Sequence, residues 1–492
     1  MAAGVAALGV AQLVAIGTGP TTAPVVAVGG AVIDLVPEPL KQFAIDVFGV
    51  HDKIALQIGT VVLFIAFAAV VGVLAARRWV YGVAGIAVFG VVGVAAALTR
   101  HNAAWTAALP TLAGALAAGF VLRLLLDRAA AVGDGGPTLE RRRFLEATGI
   151  VLATGLVSAV GGRWLANRRN VAAERAAITL PAPADPAPPL PAEVDQKLPR
   201  LASFVTSNRD FYLIDTALVV PQVSPDGWKL RVHGRVRRPF ELTYGQLLAR
   251  PLIERHITLA CVSNEVGGPL VGNARWLGVR IKDILDEAEP LEDADQVVSR
   301  SVDGFTAGTP TDLLRDGRDA MLAVGMNGEP LPVDHGFPVR MVVPGLYGYV
   351  SATKWLAEIE LSRFADYDAY WIRRGWGRFG PIKTQSRIDT PIPGAKPRPG
   401  RMMVAGVAWA QHVGVEKVEV RVDGGPWNEA RLAPVPSADT WRQWVWPWDA
   451  TPGRHELTVR ATDRTGTVQD EQERPVAPDG ATGWHSVVVE VG

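Results

Sequence analysis

One cysteine, Cys261, occurs among the 492 residues of this sequence. A chain with one cysteine forms no intramolecular disulfide, and it cannot supply the several thiolates of an all-cysteine zinc site or an iron–sulfur cluster. The sequence also lacks a CxxCH pattern, so it encodes neither a covalently attached haem nor an iron–sulfur cluster. Neither positive nor negative charge is in excess, since the sequence has 49 basic and 49 acidic residues. This balance gives no indication of a nucleic-acid partner.

Long stretches of the first third of the chain lack charge. Residues 54–76 contain no charged side chain, and at about 1.5 Å per helical residue they are long enough to cross a hydrocarbon core of about 30 Å. Residues 79–99 are also uncharged and long enough to span the core. So is 103–126 apart from Arg123 near one end, although Pro110 interrupts it. Residues 2–17 predict a shorter first helix. The apolar run 24–36 is either re-entrant or interfacial, and the sequence leaves this open.

Positive charge orients these helices. Arg77 and Arg78 follow the second helix, and Arg128 and the run 141–143 follow the fourth, which places these loops in the cytoplasm. A fifth apolar segment, 147–162, would then deliver everything after Arg163 to the other side. We therefore expect a multi-pass protein of the cell membrane whose large C-terminal part is extracytoplasmic.

The fifth segment resembles a twin-arginine export signal. Arg141 and Arg142 are followed by Phe144 and Leu145 and by a Gly/Ala-rich apolar stretch. Glu146 stands where that signal usually has lysine. The alternative is an ordinary stop-transfer arginine cluster. The twin-arginine route carries proteins already folded around a cofactor, which would suit a cofactor enzyme.

Composition divides the rest of the chain. The stretch "TLPAPADPAPPLPAEVDQKLP" at 179–199 favours an extended, semi-rigid spacer. Mixed strand and helix patterns follow, and alternating strands separated by Gly, Pro and Asp turns begin at about residue 400. The predicted organisation is multidomain: an all-α transmembrane bundle of about four helices (1–130), a twin-arginine-like segment with the fifth helix (131–165), a Pro-rich linker (166–200), an α+β domain (201–395) and an all-β immunoglobulin-like sandwich (396–492).

Cys261 ends a predicted buried strand, "HITLACV", and precedes a loop rich in glycine. An isolated cysteine is often an inert core residue. In an exported protein, however, a thiol without a partner is exposed to oxidation, whereas a thiolate bound to a soft metal is protected.

Several segments carry a family resemblance. "ITLACVSN", "ARWLGVRIKDIL", "PVDHGFPVRMVVPGLYGYVSATKWLAEIEL" and "YWIRRGWGRFGPIKTQSRIDTP" resemble the molybdopterin-dependent sulfite oxidase family over roughly residues 200–492. The C-terminal sandwich looks like that family's dimerisation domain, which would allow a homodimer. The helical anchor with its export signal is similar to an actinobacterial-type membrane branch of the family.

The resemblance implies a molybdenum cofactor and a set of residues that hold it. Cys261 occupies the position of the metal-ligating catalytic cysteine. His335, Arg340 and Lys354 fall on cofactor-binding positions, with Ala352 and Thr353 beside the lysine. Further cofactor contacts are implied upstream, at Asn208, Tyr212 and Leu213 in an early loop and at Ser301. The alternatives are a capped turn histidine for His335, a surface strand charge for Arg340, and a lysine lying over Trp355 for Lys354.

The sequence departs from the family where sulfite would bind. Family members place arginines shortly after the cysteine and in the early loop. This chain has Glu265 after the cysteine and Ile214 and Asp215 in the loop. An acid beside an anion site repels sulfite, so sulfite itself is a doubtful substrate. Whether Arg255, Arg275 or Arg300 compensates is left open.

We therefore expect an extracytoplasmic oxidoreductase that performs two-electron oxygen-atom transfer on a small molecule. Its electrons would need a separate acceptor or donor, a cytochrome or a membrane quinone. His51, His101 and Asp34 lie near the outer face of the anchor and could bind haem or quinone, although such loop residues are usually only solvated. The alternatives are a sulfoxide-type reductase with the same cofactor and a non-catalytic membrane receptor or scaffold.

Overall fold

A computed structural model of the chain describes residues 1–36, 47, 52–100, 103–133, 138–168 and 171–492. The chain folds into two compact units. The first comprises Met1–Asn170 together with Ala217–Gln222, and the second comprises Val171–Thr216 and Val223–Gly492.

The first unit is helical. Its helices are α1 (Ala2–Thr18), α2 (Pro24–Leu35), α3 (Asp52–Arg77), α4 (Trp79–Leu98), α5 (Leu109–Gly133) and α6 (Thr138–Arg168). Four stretches among the described residues are long and apolar enough to cross a membrane: 53–77, 79–98, 105–130 and 142–162. Four of the five predicted spans are thus found as long helices. The remaining one, α1, has 17 residues and is shorter.

Small residues let α1 pack closely against α5 and α6. The buried residues of α1 are all alanine or glycine. A Cβ added at Gly9 would lie 2.5 Å from the carbonyl oxygen of Gly155 on α6, and one added at Gly114 on α5 would lie 2.8 Å from that of Ala7. Close backbone approach of this kind is how helices associate where no hydrophobic effect drives them together. A larger side chain at Gly9 would therefore separate α1 from α6.

The apolar run 24–36 forms α2, whose 12 residues begin at Pro24, in the first turn where proline is tolerated. Its re-entrant or interfacial placement stays a prediction. His51 and His101, singled out as haem or quinone ligands, lie outside the described residues, as does the side chain of Asp34. The segment 217–222 packs within this unit, where Ala217 O accepts a hydrogen bond from Lys53 Nζ at 3.0 Å.

The second unit contains 18 strands among the residues described. Its first ten are β1 (Lys229–Gly234), β2 (Phe240–Thr243), β3 (Leu252–Ala260), β4 (Val271–Arg280), β5 (Gln296–Ser301), β6 (Thr306–Pro310), β7 (Met321–Met326), β8 (Glu329–Pro330), β9 (Arg340–Val342) and β10 (Leu356–Ser362). They form one sheet in the order β2-β1-β10-β5-β6 and another in the order β3-β4-β7-β8, with β9 paired to β7. Three short helices accompany them: α7 (Ala172–Ala177), α8 (Tyr244–Leu248) and α9 (Ile281–Ala288). Since β1 and β10 are parallel and the other pairs are antiparallel, the predicted α+β texture with mixed sheets is found.

From Gln385 to the C-terminal end the regular elements are all strands. They are β11 (Gln385–Thr390), β12 (Gly400–Trp409), β13 (Val415–Val422), β14 (Asn428–Glu429), β15 (Arg431–Leu432), β16 (Arg442–Ala450), β17 (Gly453–Asp463) and β18 (His485–Val491). Two four-stranded sheets, β11-β12-β16-β15 and β14-β13-β17-β18, bury one apolar cluster that includes Val404, Val418, Trp444 and Val459. The arrangement is consistent with the predicted sandwich. Its immunoglobulin-like class and the predicted boundaries at 200 and 395 stay predictions.

The proline-rich segment is not a free spacer. Asp185 forms a parallel bridge with Ile253 on β3, and Glu254 N donates to Asp185 O at 2.9 Å. The Asp185 carboxylate also pairs with Arg255 at 2.5 Å and Arg280 at 2.6 Å. The segment is extended, as proline predicts, but an acidic residue between the prolines attaches it to the edge of β3.

Candidate functional site

Cys261 follows directly on β3. Its backbone N–H donates to Leu270 O at 2.9 Å, and Asn264 N donates back to Cys261 O at 3.1 Å, so a tight turn fixes the residue at the strand end. The side chain is only 8% exposed. Burial raises the pKa of the Cys261 thiol, although hydrogen bonds from Ser263 oppose the rise. A thiol in this position is a poor nucleophile by itself, because the reactive form is the thiolate.

Cys261 opens into a cavity with about 880 Å³ of empty volume, part of it open to solvent. His335, Arg340 and Lys354 line the same cavity, although they come from a chain region far downstream of the cysteine. The four residues on which the sequence hypothesis depends therefore meet around one space.

His335 is buried and held by the early loop. It ends the 3₁₀ turn Val333–His335, and its Nε2 lies 2.9 Å from the carbonyl oxygen of Asn208. Since a carbonyl only accepts, Nε2 carries the proton and Nδ1 is an acceptor in the neutral ring. Burial, helped by the nearby Arg340 cation, lowers the pKa of His335 to about 4. The imidazole is therefore neutral at pH 7.

Arg340 begins β9 and is 5% exposed, so it is not the surface strand charge that was its alternative. Its guanidinium donates to the carbonyls of His335 at 3.2 Å and Met341 at 3.4 Å, and it lies 5.1 Å from the centroid of the Trp276 ring. Burial lowers the pKa of Arg340 to about 10, which leaves it charged at pH 7. Within the described part of the chain no carboxylate pairs with it. A buried cation balanced only by carbonyl dipoles and a ring face is suited to an anionic ligand.

Lys354 is 8% exposed. Its Nζ donates to the Asp215 carboxylate at 2.6 Å and to Asp334 O at 2.9 Å, and it lies 4.7 Å from the centroid of the Trp355 ring. The lysine does cover this aromatic ring, as its alternative interpretation proposed. The charge of Lys354 is also neutralised by Asp215, which lies in the early loop where family members have an arginine.

The other predicted cofactor contacts divide into two groups. Tyr212, Ser301 and Ala352 line the cavity. Asn208, Leu213 and Thr353 are not among its lining residues. The Asn208 side chain turns away to Met326 O at 3.3 Å, Leu213 is 51% exposed, and Thr353 Oγ1 is hydrogen-bonded to Ser299 at 2.7 Å.

The charges near the cavity differ from those that sequence reasoning emphasised. Glu265 is exposed and does not line the cavity. The carboxylates that do are Asp215, named in the sequence, and Asp303, which was missed. None of the three arginines left open as compensating cations reaches the cavity, because each pairs elsewhere: Arg255 with Asp319, Arg275 with Glu254 and Arg300 with Glu358.

Sequence reasoning also missed a row of aromatic residues. We call Phe305, Tyr349, Trp371 and Trp376, which all line the cavity, the aromatic wall. The segment "YWIRRGW", which also carries part of the family resemblance, contains two of these residues. Its three aromatic side chains could have indicated an apolar binding surface.

Comparison with known proteins identifies the family of this chain. A family model described as the oxidoreductase molybdopterin binding domain matches residues 217–371. The sulfite oxidase of chicken (Gallus gallus) is 30% identical over 336 residues, which is 57% of this chain and 72% of the chicken protein. The chain belongs to the sulfite oxidase family. The predicted oxidoreductase class and molybdopterin cofactor are thereby confirmed.

A second sulfite oxidase and one solved structure are also similar to this chain. Human mitochondrial sulfite oxidase is 30% identical over 341 residues, 59% of this chain, and the match spans 62% of the human protein, less than two thirds. Among solved structures, the sulfane dehydrogenase SoxCD from Paracoccus pantotrophus superposes with a TM-score of 0.52 at 22% identity, covering 58% of this chain and 83% of that one. At this identity the likeness shows a shared fold.

Proposed function

We propose that this chain is a membrane-anchored, extracytoplasmic molybdopterin-dependent oxidoreductase that transfers an oxygen atom and two electrons to or from a small molecule. One observation carries the proposal: the thiol of Cys261 shares a cavity with His335, Arg340 and Lys354. A non-catalytic scaffold has no use for this set, since burying Arg340 without a carboxylate partner costs stability.

The donor set fits a molybdenum–pterin group. Within the residues described, no cluster of three or more His, Cys, Asp or Glu side chains is placed to hold a metal. A metal at Cys261 would therefore take one sulfur from the protein and its other sulfurs from the cofactor. Soft thiolate and dithiolene ligands suit a metal that changes oxidation state. The bound group would supply the two-electron and oxygen-atom chemistry.

The chain's own residues would hold and orient this group. Arg340 would pair with the pterin's phosphate, because its planar fork can hold two oxygens at once. His335 would offer Nδ1 as an acceptor to an N–H of the group, and Asn208 would act as a positioning residue through its carbonyl bond to the ring. Lys354 would contribute a donor whose charge Asp215 already balances. Cofactor contacts by Leu213 and Thr353 remain proposals, to be made by backbone rather than by side chain.

Sulfite is a doubtful substrate for this site. Two cations, Arg340 and Lys354, and two carboxylates, Asp215 and Asp303, line the cavity, so no excess positive charge awaits a dianion. A bound cofactor phosphate would add further negative charge. The balanced charge of the cavity lining supports a substrate other than a sulfur dianion. It is also compatible with the alternative, a sulfoxide-type reductase that runs the same reaction in the opposite direction.

The placement in the cell is part of the same proposal. The four long apolar helices support membrane anchorage, and the arginine distribution supports an extracytoplasmic second unit, exported by the twin-arginine route. A separate cytochrome or quinone would exchange electrons with the site. The C-terminal sheets would form an immunoglobulin-like dimerisation domain.

The function is tested with protein purified in detergent from a molybdenum-replete host. Activity is measured with a dye acceptor against sulfite, and with a reduced dye against sulfoxides. We expect Cys261→Ser to abolish turnover while the circular dichroism spectrum is unchanged. A variant that keeps full activity would refute the role of the thiol.

Sidedness is tested separately. Replacing Arg141 and Arg142 by lysine should leave the first four helices inserted but keep the second unit inside, where added protease does not reach it in intact cells. A second unit that is still cleaved from outside would show that export does not use the twin-arginine route.

A further inference from the structure

The lining of the cavity includes one carboxylate, Asp303, together with the aromatic wall. Asp303 lies in the turn that joins β5 to β6, where Gly304 adopts a φ of 93° and Ser301 N donates to Phe305 O at 2.9 Å. This turn places Asp303 and Phe305 on the same cavity. Phe305 N donates to the Asp303 carboxylate at 3.1 Å, which fixes the acid in position.

The charge of Asp303 is not balanced by a neighbouring cation. No ion pair joins its carboxylate to a lysine, arginine or histidine within the part of the chain described, in contrast to Asp215, which pairs with Lys354 at 2.6 Å. The cavity therefore contains one carboxylate that is balanced and one that is available to a ligand.

Ring contacts and hydrogen bonds hold the rest of the aromatic wall together. Trp371 and Trp376 lie with ring centroids 5.9 Å apart at 73°, and Tyr349 and Trp376 also lie 5.9 Å apart, at 51°. Trp376 N donates to Trp371 O at 3.2 Å, which closes the loop that carries both indoles. Tyr349 Oη donates to Gly377 O at 2.5 Å on the same loop. The rings are thus held in place before any ligand binds.

Aromatic faces attract cations, and several rings around one space recognise ammonium-type head groups. A nearby carboxylate adds to this attraction, and the same carboxylate repels anions. We propose that the part of the cavity lined by Asp303 and the aromatic wall selects a small organic molecule with a cationic head group, such as a quaternary ammonium or a sulfonium, and disfavours anions such as sulfite. This proposal rests on the proposed function for the identity of the reaction, but the selectivity itself concerns binding.

The test uses three small probes of similar size that differ in charge. They are choline, its uncharged isostere 3,3-dimethylbutan-1-ol and the anion isethionate. Binding to the molybdenum-loaded protein is measured by isothermal titration calorimetry, which needs no turnover. We expect choline to bind about tenfold more tightly than the neutral isostere, and isethionate to bind most weakly.

Two variants test which residues cause the preference for choline. Asp303→Asn keeps the acceptor for Phe305 N and should reduce the choline preference to about twofold while leaving the affinity for the isostere unchanged. Trp376→Leu should weaken choline and isostere together. Asp312→Asn, an exposed acid that does not line the cavity, is the matched control and should change neither.

The outcomes separate this inference from the proposed function. Equal binding of choline and isethionate, or a choline preference unchanged by Asp303→Asn, would overturn the inference even if molybdenum and turnover were present. Loss of molybdenum from Trp376→Leu would also overturn it, since the wall would then hold the cofactor. Wild-type protein without molybdenum would instead overturn the proposed function.

Discussion

Replacing Lys354 by methionine removes the ion pair that its ammonium group forms with the Asp215 carboxylate in the cavity. The two side chains are 8% and 16% exposed and lie 2.6 Å apart, so the pair is largely removed from water. Removing one partner of such a pair costs about 3 kcal/mol, since the remaining charge is left buried. At about 2 °C per kcal/mol for a large domain, the midpoint of thermal unfolding should fall by about 6 °C.

The double variant Asp215→Asn with Lys354→Met separates stability from cofactor binding. It removes both charges, so most of the lost stability should return. Molybdenum should not return, because the proposed role of Lys354 is to donate to the cofactor. Thermal unfolding followed by circular dichroism and metal analysis by mass spectrometry measure the two quantities on the same preparations.

One result would refute this reasoning. If the double variant binds molybdenum at the wild-type ratio, Lys354 serves only to balance Asp215 and does not hold the cofactor. If the single variant unfolds at the wild-type temperature, the pair is more hydrated than its burial indicates.

Three further predictions concern other positions. Arg340→Gln should lower the molybdenum content at least tenfold by removing the cation for an anionic ligand, whereas Arg318→Gln, another buried arginine that does not line the cavity, should not. His485 Nδ1 accepts the N–H of Ile388 at 3.0 Å, and burial lowers the pKa of His485 to about 4. Between pH 6.5 and 4 the unfolded chain therefore binds a proton at His485 that the folded chain does not, so the free energy of unfolding falls as the pH falls through this range. A pH series of urea titrations measures this effect. Between pH 7 and 5, His485→Gln should lose up to about 2 kcal/mol less of its free energy of unfolding than the wild type. Thr243→Ala removes the capping box of α8 and should cost about 1 kcal/mol in the same assay at pH 7, and an unchanged midpoint would contradict this.

Much of the architecture could be predicted from patterns within short segments. The uncharged run 54–76 lies within α3. The alternating pattern after residue 400 predicts strands, and Trp444 and Trp448 of these strands are buried in the apolar cluster between the C-terminal sheets. The sequence predicts a fifth apolar segment at 147–162, but α6 begins at Thr138 and continues through the arginine run. Charged residues such as the arginine run set the limit of an apolar membrane span, but they do not end a helix. The helix is therefore longer than the apolar segment within it.

The residues proposed to bind the cofactor could be predicted better than the other residues that line the cavity. Family resemblance singles out Cys261 and Arg340, and they meet in one cavity. The choice of Glu265 as the repelling charge rests on sequence proximity to the cysteine, and the turn after Cys261 directs that side chain outward. Asp303 and Trp376 could not be grouped in advance, because a hairpin turn and a loop after β10, remote from each other in sequence, bring them together.

X-ray absorption at the molybdenum edge of purified protein tests the central claim most directly. We predict about one molybdenum per chain with three sulfur neighbours, two from the pterin and one from Cys261. In Cys261→Ser the sulfur count should fall to two. A metal that keeps three sulfur neighbours in that variant, or wild-type protein with no molybdenum, would contradict the proposed ligation.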